Sequence, residues 1–220
     1  NEWKRPVYFV SISAPIISMG MEKYLASEGL VSKLMPVDMG QSSNGSGLIN
    51  ADKIYDNAIN KFQWSNINNL EHFDVDSNQY YENWIFPNVY TDGMQALLNQ
   101  GKMKEAKALA LQAYDFQPKE TKSMRQAYYN SVLLDTLVKV KEVDSAKLLA
   151  GKQLKAIQEN LDYQLAIYEK VSSGYDQIAI QLGLFALDQY VPILKELGDE
   201  KLLAEASRMD KKYKSIWMKS

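Results

Sequence analysis

His72 is the only histidine of the chain, and it lies among carboxylates that could orient it as a general base, namely Glu71, Asp74 and Asp76. A histidine beside an acid is a common proton-transfer pair in hydrolytic enzymes. A serine hydrolase would also need an oriented nucleophile, and the pattern Gly-x-Ser-x-Gly does not occur in the sequence. Two interpretations remain: a hydrolase that uses His72, or a histidine in a surface loop. The pattern assigns no catalytic residue.

Two further segments resemble ligand-binding loops but lack essential positions. Asp74–Asn78 resembles the start of a calcium loop, yet its sixth and twelfth positions hold Gln79 and Ile85 instead of glycine and glutamate. Gly40–Gly47 is rich in glycine, but Leu48 follows it where a phosphate-binding loop needs lysine. The chain has no cysteine, which excludes thiol catalysis and cysteine-ligated metals. The sequence therefore predicts neither a metal nor a cofactor.

Aromatic residues form the other candidate site, because Tyr80, Tyr81, Trp84, Phe86 and Tyr90 lie within 11 residues. One interpretation is a surface on which a sugar or a peptide stacks. The other is packing in the core of the first helical hairpin, with Pro87 able to interrupt the pair Phe86/Tyr90. The candidate binding surface consists of three aromatic residues: Trp64, Tyr81 and Trp84.

Composition excludes several classes of protein. The 220 residues include 25 Lys and Arg against 27 Asp and Glu, and a net charge of −2 argues against nucleic-acid binding. The apolar stretch Gln177–Leu187, which carries no charge, is shorter than the roughly 20 residues of a membrane span. We do not expect Asn1–Arg5 to begin a signal peptide. The chain begins with Asn1 instead of Met, which indicates either a processed N-terminus or a fragment of a longer protein, and we expect the fragment.

The elements that would position these residues differ between two regions, 1–50 and 51–220. In the first, Val7–Ile12 and Leu30–Met35 are typical of strands, and Ser18–Ser27 of a short helix. A strand–helix–strand unit with parallel strands would join them. The second region has a helical period throughout. We therefore expect a mainly α fold with a small α/β N-terminal part.

Caps, glycines and prolines place the helices of the second region. Asn50 or Asp52 can cap the first helix, and a later helix starting near residue 77 should be interrupted near Pro87. Further helices are predicted over 90–100, 103–116, 122–139, 143–171, 175–195 and 199–217.

Small residues and turn residues predict a helical repeat between residues 97 and 118. Gly101, Ala106, Ala113 and Pro118 are separated by 5, 7 and 5 residues. These offsets match the second half of a tetratricopeptide repeat, in which small side chains allow two antiparallel helices to approach closely. Two degenerate copies follow, at 141–146 and 197–204. The alternative is an ordinary helical bundle with one fortuitous match.

Several strings of residues 3–118 occur together in one known family. They are Arg5-Pro6-Val7-Tyr8-Phe9, Tyr24-Leu25, Glu28-Gly29-Leu30, Leu34-Met35-Pro36-Val37 and Asn60-Lys61-Phe62-Gln63-Trp64-Ser65-Asn66. In order and spacing they resemble the C-terminal part of large bacterial multi-pass membrane proteins that are similar to protein O-mannosyltransferases. Members have an N-terminal membrane block, which holds the acidic catalytic residues, and a soluble C-terminal region with tetratricopeptide-like helices.

The resemblance implies a non-catalytic domain on the periplasmic face of a bacterial membrane, within a membrane-embedded parent that is itself a glycosyltransferase. It would interact with a protein or peptide partner or position an acceptor protein, through the concave face of its hairpins or the loop from Trp64 to Asn78. A carbohydrate-binding module that uses exposed aromatic rings is the alternative.

Overall fold

The computed structural model describes residues 4–10, 19–40, 48–64, 81–117, 123–171 and 176–217, without the side chains of residues 81–83, 169 and 171. Residues 1–113 form one compact unit and residues 114–220 form a second. The fold is mainly helical with a small sheet near the N-terminus, which confirms the predicted fold class. The predicted division at residue 50 separates regions by their secondary structure and stays a prediction.

The sheet has four short strands, β1 (Tyr8–Phe9), β2 (Leu25–Ser27), β3 (Ser32–Leu34) and β4 (Leu48–Ile49), in the order β1-β3-β2-β4. β3 runs antiparallel to both β1 and β2, and β4 runs parallel to β2. The predicted parallel pair of the first two strand segments is therefore wrong. A parallel pair of β1 and β3 would need a crossover connection, but β2 lies between them in the chain and pairs with β3 through a short turn at Gly29, whose φ is +101°.

The helix predicted over Ser18–Ser27 is also wrong within the described residues 19–27. A single 3₁₀ turn covers Glu22–Tyr24, and β2 follows directly. All three residues of β2 are buried, and the strand is paired on both sides. Pairing with β3 and β4 therefore overrides the local helix propensity of this segment.

In the part of the first unit that the structure describes, three α-helices follow the sheet: α1 (Ala51–Asp56), α2 (Asp92–Asn99) and α3 (Met103–Asp115). A wider π-helical turn, Asn57–Lys61, extends α1, and the π-helical segment Tyr81–Thr91 leads into α2. The Asn50 side chain accepts a hydrogen bond from the backbone N–H of Lys53 at 3.2 Å, which confirms Asn50 as the N-cap of α1.

The expected interruption at Pro87 does not occur. The π-helical segment continues through this proline, and Thr91 has helical dihedral angles, so α2 follows without a break. A proline lacks the backbone N–H and cannot join the hydrogen-bonded ladder. The wider spiral, whose bonds join residues five apart, accommodates that missing donor.

The described residues of the second unit form α4 (Met124–Lys139), α5 (Val143–Val171), α6 (Gln177–Leu197) and α7 (Glu200–Trp217). These bounds agree with the predicted helices to within two residues. α6 packs against α4, α5 and α7. The Tyr190 hydroxyl on α6 donates a hydrogen bond at 2.9 Å to the carbonyl of Ala127 on α4. Gly183 allows α6 to approach α5 closely, because a Cβ there would lie 3.0 Å from a methyl of Leu161.

By length and composition, α6 is apolar enough to cross a membrane. We expected no membrane span because the uncharged stretch Gln177–Leu187 is too short, but α6 continues through Asp188 and is long enough. Core helices of soluble proteins meet the same criterion, and one face of α6 forms part of the core of the second unit. The finding is therefore weak evidence for a span.

Candidate functional site

Trp64 stabilises the end of the helical segment that starts at α1. Its indole N–H donates a hydrogen bond to the carbonyl of Ala58 at 2.7 Å. The last carbonyls of a helix have no partner within the helix, so a side-chain donor satisfies one of them. The Trp64 ring is half-buried and meets Phe62 edge to face, with ring centroids 5.4 Å apart. These contacts give Trp64 a structural role.

The same carbonyl connects this helix end to α3. The Gln112 amide donates to the Ala58 oxygen at 3.3 Å, and its own oxygen accepts a hydrogen bond from the Tyr90 hydroxyl at 3.1 Å. The rings of Trp64 and Tyr90 lie 6.1 Å apart. A connected set of polar contacts inside an aromatic cluster fixes the relative positions of the three chain segments.

Trp84 is half-buried in the π-helical segment, and its indole nitrogen is enclosed without a hydrogen-bond partner among the described residues. The side chain of Tyr81 lies outside the described residues. Phe86 and Tyr90 are both buried with ring centroids 5.7 Å apart, so Pro87 does not separate them. Core packing of this pair is confirmed, whereas glycan or peptide binding by Trp64, Tyr81 and Trp84 stays a prediction.

Asp92, at the start of α2, is a perturbed acidic group. Burial raises the pKa of its carboxyl to about 6. The neighbouring Thr91 is buried, and its hydroxyl is enclosed without a partner among the described residues. Buried polar groups that lack partners reduce stability. No sequence pattern identified Asp92, because its burial depends on the tertiary packing.

Gly93 permits a close contact of α2 with α1 and α3. A Cβ at this position would lie 2.8 Å from a methyl of Ile54 on α1 and 2.8 Å from a methyl of Leu109 on α3. At 2.8 Å two carbon atoms overlap, so any larger residue would displace these side chains. No sequence pattern marks this role of Gly93, because it depends on Ile54, which lies 39 residues away.

The predicted repeat residues lie at the turn between α2 and α3 and on α3. Gly101 has a φ of +70°, and Ala106 and Ala113 are fully buried. Pro118 lies outside the described residues. Around Gly101, the N–H of Lys102 bonds to the carbonyl of Leu97, and that of Gly101 bonds to Leu98. This pair of bonds defines a Schellman turn.

A second Schellman turn joins α4 to α5. Lys141 has a φ of +64°, its N–H bonds to the carbonyl of Val138, and that of Glu142 bonds to Leu137. Lys141 follows Gly101 by 40 residues, within one of the predicted degenerate copies. The other copy differs: Ala204, predicted as its small contact residue, is exposed, whereas Ala206 is buried.

A buried polar cluster in the second unit was not identified from the sequence. The side-chain oxygen of Gln117 accepts hydrogen bonds from the amides of Gln126, at 3.2 Å, and Asn130, at 2.8 Å. Both donors lie on α4 and are almost fully buried. Their own side-chain oxygens are enclosed without partners among the described residues. Their spacing of four residues was the one available signal, since it places both on one helix face.

The remaining candidate residues lie outside the described residues. These are His72 with Glu71, Asp74 and Asp76, the segment resembling a calcium loop, and most of the glycine-rich loop. Where the structure is described, no three His, Asp or Glu side chains approach closely enough to hold a metal ion. The expectation that the chain binds no metal or cofactor stays a prediction.

A comparison with protein families relates the N-terminal part of the chain to membrane proteins. Residues 1–53 match the family model described as TMEM260-associated domain 2. No curated protein matches the chain, and no solved structure matches it. The match contains all four strands and the start of α1. It is compatible with the expected origin of the chain as a domain of a membrane protein.

Proposed function

We propose that this chain is a non-catalytic extracytoplasmic domain of a membrane glycosyltransferase similar to protein O-mannosyltransferases, and that it binds a protein partner or positions an acceptor protein. The observation that carries the proposal is the match of residues 1–53 to a domain associated with a membrane-protein family. The strings between Arg5 and Asn66 are the sequence observation that supports the same assignment.

Packing extends the matched segment into a larger unit. The Asn57 side chain donates to the carbonyl of Glu28 in the β2–β3 turn at 3.0 Å, and a Cβ at Gly29 would lie 3.4 Å from a methyl of Val89. Lys102, beside the α2–α3 turn, pairs with Asp52 on α1. The sheet is therefore one unit with the helices up to residue 113, and a truncation after residue 53 would remove most of its core.

The tetratricopeptide-like character of the helices is part of this proposal. The hairpins α2–α3 and α4–α5 have the same turn geometry 40 residues apart. They also share buried residues at that offset: Leu97 and Leu137, Ala106 and Ala146, Leu109 and Leu149, Ala110 and Ala150. Repeated helical hairpins commonly bind peptides or proteins, because their stacked helices offer an extended surface. That role suits a domain that positions an acceptor.

The location can be tested with two reporter fusions to the complete parent protein, expressed in a bacterium. Alkaline phosphatase fused after Ser220 should be active, because this enzyme folds outside the cytoplasm. A green fluorescent protein fused at the same position should remain dark. Bright fluorescence together with an inactive phosphatase would place the domain in the cytoplasm and would contradict the proposal.

The role of the domain can be tested by comparing the parent protein with a version that lacks these 220 residues, at equal levels in the membrane. We expect the truncated parent to retain glycosyl transfer to a short acceptor peptide and to lose most transfer to a folded acceptor protein. The isolated chain should have no transferase activity. Equal transfer to both acceptors, or activity of the isolated chain, would overturn the proposal.

A further inference from the structure

A pocket of about 200 Å³ lies between α5 and α7 in the second unit. Gln158 lines it from α5, and Arg208, Met209, Lys212 and Tyr213 line it from α7. Residues four apart on a helix lie on the same face, so Arg208 and Lys212 present two cationic side chains to one side of the pocket. The thioether of Met209 and the ring of Tyr213 provide apolar surface.

Asp162, one turn beyond Gln158 on α5, holds one wall of this pocket in place. It accepts hydrogen bonds from the Tyr213 hydroxyl at 2.9 Å and from the Lys212 ammonium at 2.7 Å. The same ammonium lies 4.5 Å from the centre of the Tyr213 ring. Desolvation raises the pKa of Asp162, but its hydrogen bonds to Lys212 and Tyr213 outweigh that effect and lower the pKa overall. Asp162 is therefore a carboxylate at neutral pH.

The charges around the pocket do not cancel. Lys212 is paired with Asp162, whereas Arg208 is exposed and makes no ion pair with any residue that the structure describes. A net positive charge therefore remains at the mouth. A guanidinium group offers two parallel N–H donors that fit the two oxygens of a carboxylate. The apolar floor suits a short aliphatic stem behind that carboxylate.

We propose that this pocket binds an acidic side chain of a partner polypeptide, with the carboxylate on Arg208 and the aliphatic stem against Met209 and the Tyr213 ring. Gln158 lines the pocket from α5, where its side chain hydrogen-bonds Asp162. Tyr213 and Asp162 are positioning residues, because they hold Lys212 and the floor of the pocket in place. The proposal rests on the second unit alone and does not depend on the membrane assignment.

The sequence allows a direct test, because the chain has only three arginines, Arg5, Arg125 and Arg208. The full chain, labelled with ¹⁵N-arginine, gives few side-chain Nε–H signals, and each can be assigned by substitution. The probe is an acetylated and amidated tripeptide with a central glutamate between two leucines. We expect its titration to shift the Arg208 signal, and the same peptide with glutamine to bind at least about tenfold more weakly.

Three variants separate binding from unspecific attraction. Arg208→Gln should abolish the binding of the glutamate peptide. Arg125→Gln, which removes another exposed arginine of the second unit, should leave it unchanged. Tyr213→Phe keeps the ring but removes the bond to Asp162, and should weaken binding several-fold while the chain remains folded.

Three outcomes would overturn the proposal. One is equal binding of the glutamate and glutamine peptides, and another is binding that survives Arg208→Gln. The third is a larger shift of the Arg208 signal by inorganic phosphate than by the glutamate peptide at the same concentration, which would indicate a phosphate site.

Discussion

Gly101 and Lys141 have the same left-handed backbone conformation, with φ angles of +70° and +64°, in two Schellman turns 40 residues apart. Glycine adopts this conformation without strain, whereas a residue with a side chain loses about 1–2 kcal/mol. Lys141→Gly should therefore increase the free energy of unfolding by about 0.5–1 kcal/mol, after the greater flexibility of glycine in the unfolded chain is subtracted. Urea denaturation measures the change.

The matched control for this prediction is the reverse change in the first turn. Gly101→Ala should decrease the free energy of unfolding by about 1 kcal/mol. A Cβ at this position has no heavy atom within 4 Å, so the loss would come from the backbone alone. A destabilising effect of Lys141→Gly would show that the lysine side chain contributes more than its backbone strain costs.

Gly93→Ala tests the close packing of α1, α2 and α3. The added methyl group would overlap with Ile54 and Leu109 at 2.8 Å, and overpacking of this kind costs about 1–3 kcal/mol. Gly151→Ala, on α5, is the control, because its methyl group would meet only Leu202 of α7, at 4.0 Å. That change should stabilise the chain by about 0.5–1 kcal/mol. Equal effects in thermal unfolding would contradict the packing argument.

Local signals were sufficient for the long helices. Glycine ends two of the hairpin helices, at Gly101 and Gly198, and Asn50 caps α1, so most helix bounds follow from neighbouring residues. The segment from Ser18 to Ser27 was predicted wrongly, because a strand of three residues has too few local contacts to determine its own structure. Pairing with β3 and β4 determines the structure of that segment.

The candidate sites depend on contacts between residues far apart in sequence. The pocket joins Gln158 and Arg208, which are separated by 50 residues, and no local pattern marks either of them. The requirement for glycine at position 93 depends on Ile54 for the same reason. The aromatic residues were found by sequence because they are clustered, but their hydrogen bonds were not. Trp64, for example, bonds to a carbonyl at a helix end that had not been located.

Trp64→Phe tests the structural role of Trp64. The change removes one of the two donors to the Ala58 carbonyl and should lower the free energy of unfolding by about 1 kcal/mol. Trp84→Phe is the contrasting variant, because the indole nitrogen of Trp84 is enclosed without a partner among the described residues. Trp84→Phe should lower the free energy of unfolding by less than Trp64→Phe does. A stable Trp64→Phe variant with reduced affinity for a glycan would support the carbohydrate-binding alternative.

Asp92 should make the stability of the chain depend on pH. The pKa of its carboxyl is raised by burial to about 6, against about 3.9 in an unfolded chain. Between these values the folded state holds a proton that the unfolded state has lost, so the free energy of unfolding falls as the pH rises from about 4 to about 6. The penalty is fully present above pH 6 and absent below pH 4.

Asp92→Asn removes this penalty. At pH 7 it should stabilise the chain by about 1–2 kcal/mol, which is less than the full pKa shift implies because the side chain is partly exposed. Below pH 4 the variant and the original chain should be equally stable. Asp115→Asn, an exposed control on α3, should change the stability by less than about 0.5 kcal/mol. A stabilisation by Asp92→Asn that is the same at pH 4 and pH 7 would refute the titration argument.

Asn130→Asp tests the buried polar cluster with a change of almost identical shape. The Asn130 amide donates to the Gln117 oxygen at 2.8 Å, and no cation pairs with this fully buried side chain among the described residues. A carboxylate at position 130 has no N–H to donate, and one of its oxygens would face the Gln117 side-chain oxygen. We therefore expect the free energy of unfolding to fall by about 3 kcal/mol or more at pH 7.5. Near pH 4 the loss should be smaller, because burial raises the pKa of the new carboxyl and its protonated form can again donate to Gln117.

Urea denaturation at the two pH values measures the difference, and Gln189→Glu, at an exposed position of α6, provides the control. Equal losses for both variants at pH 7.5 would mean that Asn130 is hydrated and that the cluster is open to water.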